Sequence, residues 1–218
     1  PTGLSATPGD GRATISFTPG FNNGAAITNY EYSLDGGSYT ALDPATPDSP
    51  ITIEGLTNGT SYSITLKAIN SEGSSVAASA AVVATPAGPP AAPTSLLAEP
   101  GDSQATISFT PGSNNGAAIT NYEYSLDGGS YTALDPATPN SPITITGLTN
   151  GTEYSITLRA LNGNGEGAAS GSGSVTTGAP DAPTIDSIVS GNGQAIITFT
   201  PGADNGSPII GYRYIKDD

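Results

Sequence analysis

This chain repeats itself, and the repeat bounds what it can fold into. The segment ATISFTPG occupies residues 13–20 and returns at residues 105–112, an offset of 92 positions. A longer segment, residues 22–47, returns without change at residues 114–139. GLTNGT at 55–60 and YSITL at 62–66 recur at 147–152 and 154–158. A third copy starts near Pro183, with QAIITFTPGADNG at 194–206, offset by 90 from the second copy. A period of about 90 residues is too long for one turn of a solenoid and suits a self-contained sandwich domain of about 100 residues. Each copy is therefore expected to bury its own core. The expected division is residues 1–86, residues 93–178, and an interrupted copy at 183–218 carrying strands A, B and C only.

Within a copy, short runs of Ile, Thr, Tyr and Val alternate with polar residues. Clusters of Gly, Asn, Asp and Pro separate the runs. In the first copy this pattern predicts strand A at 2–7 and strand B at 13–18. Strand C follows at 27–34, a short edge strand at 38–42 and strand E at 51–54. Strand F is expected at 61–70 and strand G at 75–84. Strand C should turn Tyr30, Tyr32 and Leu34 inward, and strand F should do the same with Tyr62, Ile64, Leu66 and Ala68. No stretch longer than a turn has a helical period. The result is an all-β chain of tandem seven-stranded sandwiches. The Pro-rich segments 86–93 and 178–183 are expected to run as semi-rigid polyproline II spacers.

GLTNGTSYSITLKAINSEG, residues 55–73, resembles the E–F corner and F strand of fibronectin type III domains. The matching positions are Leu56, Gly59, Tyr62, Ala68, Asn70 and Gly73, and in the second copy Leu148, Gly151, Tyr154, Ala160, Asn162 and Gly165. ITNYEYSLDGG resembles the C strand of that family and the turn after it, with Tyr122 and Tyr124 repeating Tyr30 and Tyr32. The resemblance implies a β-sandwich in which the Leu plugs the open end and the Tyr hydroxyl bonds back to the corner. One departure is Phe17, Phe109 and Phe199 in strand B, where the family usually carries Trp. Phe fills less volume and has no N–H to satisfy.

Composition bounds the chemistry. The chain has no His, Cys, Met or Trp, so it can build neither a Ser–His–Asp nor a Cys–His arrangement, nor a thiolate or imidazole metal site. Net charge is −14, and only Arg12, Lys67, Arg159, Arg213 and Lys216 are positive, which argues against nucleic acid as a partner. No apolar run is long enough for membrane insertion by a helix. The weak calcium candidates are Asp35, Asp43 and Asp48, with Asp127 and Asp135 in the second copy. Asp10, Asp102 and Asp181 lie near the linkers. All of these have turn formation as the simpler role. Asn58, Asn150 and Asn205 fit a glycosylation sequence, but Asn-Gly is also a favoured turn pair. Tyr39 and Tyr131 are candidates for stacking on a sugar, with cross-strand packing as the competing role.

The functional expectation is a non-catalytic rod segment, either a spacer or an adhesive stalk. It would belong to an extracellular, cell-surface, filament or virion-fibre protein, with further copies of the repeat in cis as its first partners. Two alternatives stand beside it. One is an accessory module of a secreted polysaccharide-degrading enzyme, and the other is a weak glycan- or protein-binding module. The absence of Met and the interrupted third copy suggest a window on a longer rod, with strand exchange from another molecule as the competing explanation.

Overall fold

The alternation of apolar and polar residues, with turn-forming residues between, yields strands and no helix among the described residues. The computed structural model describes residues 1–78, 80–206 and 208–215. The first copy contains β1 (Thr2–Gly9), β2 (Arg12–Thr18), β3 (Asn29–Leu34), β4 (Thr40–Ala41), β5 (Ile51–Glu54), β6 (Tyr62–Asn70), β7 (Gly73–Ser74) and β8 (Val82–Ala84). The second contains β9 (Thr94–Gly101), β10 (Gln104–Thr110), β11 (Ile119–Leu126), β12 (Thr132–Ala133), β13 (Ile143–Thr146), β14 (Glu153–Asn162), β15 (Gly165–Glu166) and β16 (Gly173–Thr176). The third contributes β17 (Thr184–Gly191) and β18 (Gln194–Thr200).

Two antiparallel sheets face each other in each complete copy. One has the order β1-β2-β5. The other has the order β4-β3-β6-β7, with β8 also paired to β6. The second copy repeats this as β13-β10-β9 and β12-β11-β14-β15, with β16 on β14. Register is conserved between copies. Ala13 faces Ile53 and Ile15 faces Ile51, while Ala105 faces Ile145 and Ile107 faces Ile143. A one-residue slip would turn these Ile side chains to solvent, so the period-two pattern itself holds the register. The first core contains Ile15, Phe17, Tyr30, Ile53, Leu56, Ile64 and Leu66, all buried. The Phe17 and Tyr30 rings meet edge to face at 4.6 Å, and Phe109 and Tyr122 do so at 4.7 Å. This is the arrangement aromatic quadrupoles favour, and it partly compensates for the absent Trp.

Each edge strand of the β1 type carries an irregularity. Pairing of β1 with β2 shifts between Thr2 and Ser5, around Gly3 at φ +61°. Pairing of β10 with β9 shifts between Ser108 and Thr110, opposite Ser95 at φ +56°. Pairing of β17 with β18 shifts between Ile185 and Ser187.

Three expectations need correction. Strand G is not continuous over 75–84, because between β7 and β8 the described residues, 75–78 and 80–81, form no strand. There the Ser75 hydroxyl accepts the Ala68 N–H at 3.0 Å, so a side chain takes the place of a ladder partner. The expected C strand of the third copy is not seen among the described residues. Residues 208–215 form no ladder, because the strands that flank C in the other copies, β4 and β6, have no counterpart there. Tyr212 still meets the half-buried Phe199 ring at 4.5 Å, while Ile188, Val189 and Ile196 stay exposed. Finally, the first linker does not begin as a free spacer. Gly59 N–H donates to Pro86 O at 2.8 Å and Ala87 N–H donates to Gly9 O, so residues 86 and 87 are bonded into the first sandwich.

By compactness the described chain forms two units. The first is Pro1–Pro90 with Ser113–Ile119 and Asn162–Glu166. The second is Ala91–Gly112, Thr120–Leu161 and Gly167–Asp218.

Candidate functional site

The E–F corner is the most fully built polar site. Leu56 is 7% exposed and plugs the end of the sandwich, with its N–H donated to Gly11 O. One residue on, Thr57 N–H donates to the Tyr62 hydroxyl at 3.0 Å, and this bond holds the Tyr62 pKa below its ordinary value. Leu148, Thr149 and Tyr154 repeat the geometry. Beside the corner, Asn58 accepts the Gly11 N–H and donates Nδ2 to Asp10 Oδ1 at 2.6 Å. Asn150 does the same with Ser103 and Asp102. The nitrogens that a sugar would need are therefore engaged. Gly88 closes over this pair, since a Cβ there would overlap Asp10 Oδ1 and Asn58 Nδ2.

The acidic candidates are dispersed into turns. Asp35 sits at φ +52° and its Oδ1 accepts Ser63 N–H at 2.8 Å. Asp127 repeats this with Ser155. Asp43 and Asp135 precede Pro44 and Pro136 in the loop after the short edge strand. Asp181 accepts from Asn205 Nδ2. Among the described residues, no three acidic side chains are grouped so as to hold a metal ion.

Tyr39 and Tyr131 lie half-buried at the edge strands, and the structure gives their rings partners within the protein. Lys67 Nζ lies 3.8 Å from the Tyr39 ring centroid and 3.7 Å from Glu31 Oε1. The Tyr39 hydroxyl is 3.0 Å from Thr65 Oγ1. In the second copy Arg159 takes the place of Lys67, at 4.2 Å from Tyr131 and 2.6 Å from Glu123. A sugar stacking on these rings would first have to displace the cation. Two buried groups escaped the sequence reading. The Tyr30 and Tyr122 hydroxyls have no hydrogen-bond partner, and burial raises both pKa values, with Asp48 adding to the effect at Tyr30. Ring burial followed from the strand pattern, but a hydroxyl's partner depends on three-dimensional packing that the pattern does not encode. Ser33 and Ser125 are also buried, each donating to a turn carbonyl at 2.7 Å.

At the far end of the first sandwich, the B–C loop and the F–G hairpin border a groove of about 200 Å³ lined by Phe21, Asn23, Ile27, Asn70 and Gly73. Phe21 is 97% exposed. This groove holds no nucleophile–base pair and no grouped carboxylates.

Comparison with known proteins agrees with the architecture. Residues 91–176 match the family model of the fibronectin type III domain. Endoglucanase B of Cellulomonas fimi is 30% identical over 226 aligned positions, covering 94% of this chain and 21% of that protein. Chitinase A1 of Niallia circulans is 34% identical over 194 positions, covering 82% and 26%. The chain thus spans about a fifth to a quarter of the length of these relatives. Among solved structures, the FN1–FN3 domains of chicken CNTN1 align with 91% of this chain and 74% of that one, at 16% identity and a TM-score of 0.44. The two complete copies are thus tandem fibronectin type III-like β-sandwiches that share strand order, register and core.

Proposed function

We propose that this chain is a non-catalytic accessory segment of a secreted polysaccharide-degrading enzyme, acting outside the cell as a spacer beside a catalytic domain encoded in the same protein. The observation that carries the reading is the pair of relatives. An endoglucanase and a chitinase align with most of this chain, although it amounts to a minor part of each. The chemistry agrees, since general acid–base work needs positioned carboxylates or His. The carboxylates of Asp10, Asp35, Asp102 and Asp127 already accept from backbone N–H groups or Asn amides. The stalk of a cell-surface or virion fibre is the second reading, favoured by the near-identity of the two complete copies.

The test is direct. The purified chain should release no reducing ends from carboxymethyl-cellulose or colloidal chitin. Fused to a glycosidase catalytic domain, it should leave the rate on soluble substrate unchanged and alter the rate on insoluble polysaccharide. Hydrolysis by the chain alone, abolished by a single carboxylate substitution, would overturn the proposal. An unaltered rate on insoluble substrate would favour the stalk.

A further inference from the structure

The groove beside Phe21 on the first sandwich has a counterpart whose occupant is visible. Shifted by 92 positions, its lining residues Asn23, Ile27, Asn70 and Gly73 become Asn115, Ile119, Asn162 and Gly165. Inside the first compact unit, those second-copy residues hold a proline-bearing segment, residues 88–90, that bends at Pro89. Asn162 Nδ2 donates to Gly88 O at 2.9 Å and Asn115 Nδ2 donates to Pro89 O at 2.7 Å. Gly88 N–H donates to Asn115 O at 3.0 Å, and the Pro89 ring comes up against Gly165. Inside the second unit the arrangement recurs, with Asn205 Nδ2 donating to Ala179 O at 2.9 Å.

The first-copy groove is set up in the same way. Asn23, Asn115 and Asn205 all adopt the left-handed conformation, at φ +52°, +49° and +49°. Asn70 Nδ2 donates to Asn22 O and Ala25 O, as Asn162 Nδ2 does to Asn114 O and Ala117 O. Both amides are thereby held in place, and what differs is the acceptor from a preceding segment.

We propose that this groove is a docking site for a proline-bearing segment, bent as residues 88–90 are, joined in cis ahead of Pro1. Asn23 Nδ2 and Asn70 Nδ2 would be the donors and Asn23 O the acceptor, with a Pro ring against Gly73. Main-chain carbonyls supply the recognition, so what the site requires is a backbone that bends as at Pro89, with a ring at that position, rather than a particular side-chain sequence. Phe21, replaced by Ser113 in the second copy, adds an exposed apolar rim at this position. The inference does not depend on the accessory-module reading.

The experiment copies residues 85–92 (TPAGPPAA) directly ahead of Pro1 in the full chain. Pro93 corresponds to Pro1, so the copied Gly and first Pro fall where Gly88 and Pro89 fall in the second copy. The side-chain amide signals of Asn23 and Asn70 should shift in ¹H–¹⁵N spectra. The N–H of the copied Gly should exchange at least about tenfold more slowly than in a free peptide, and Asn23→Ala should abolish that protection without unfolding the sandwich. If the two amides do not move and the added residues exchange at free-peptide rates, the proposal is overturned. Protection that survives Asn23→Ala overturns the assigned donor and with it the proposal.

Discussion

Tyr30 and Tyr122 show how a residue can be right for its site and still carry a cost. Each ring is wholly buried, yet each hydroxyl is unpartnered. Leaving a buried polar group unsatisfied costs about 1–3 kcal/mol. Tyr122→Phe keeps the ring and removes the orphaned oxygen, so urea unfolding should show a gain in stability of about 1 kcal/mol. Tyr62→Phe should do the opposite, because its hydroxyl is the acceptor for Thr57 N–H. The two buried hydroxyls also set a pH dependence. Their pKa values are raised in the folded state, so they favour folding fully below the ordinary tyrosine value of about 10. That contribution is lost as pH climbs from there through the raised values, since only the unfolded chain ionises freely. Alkaline denaturation monitored by circular dichroism should therefore start near that pH. It should move upward in the Tyr30→Phe, Tyr122→Phe double variant.

Strand F could be read from sequence almost to the residue, because Ile64, Leu66 and Ala68 alternate with Thr65 and Lys67. Strand G could not, because its Ala-rich centre lacks β-branched residues and Ser75 offers its hydroxyl to the backbone. A consequence is uneven protection. The N–H groups of Val76 and Ala77 should exchange with solvent within minutes, whereas those of Ile64 and Leu66 should persist, as native-state hydrogen exchange can record. The turns joining strands are similarly specific. Asp127 combines a left-handed backbone with a carboxylate accepting from Ser155. Asp127→Asn retains both features and should be nearly silent. Asp127→Ala should lower stability by about 1–2 kcal/mol in chemical denaturation. The sequence identified this Asp as a turn residue, but not the strand whose N–H it would hold.

For the molecule as a whole, repeat length and the E–F corner were enough to read two sandwiches, since each corner residue has a local role. The path of the first linker was hidden. Proline content suggested an extended spacer, whereas the bonds from Gly59 and to Gly9 run between backbone groups and leave no trace in side-chain pattern. The third copy behaves as its missing ladder partners require. A chain ending at Thr177 should lose the binding of a hydrophobic dye such as ANS that the exposed Ile188, Val189 and Ile196 support, while its thermal unfolding stays cooperative. The irregular edge strands carry a last consequence. An array of near-identical sandwiches keeps its own best aggregation partner permanently close by. A straight outer strand on any copy would offer the next an open template for cross-molecular zippering. The kinks at Gly3, near Ser95 and beyond Ile185 interrupt that template in every copy, so such a chain could be lengthened by duplication without becoming a seed for fibrils.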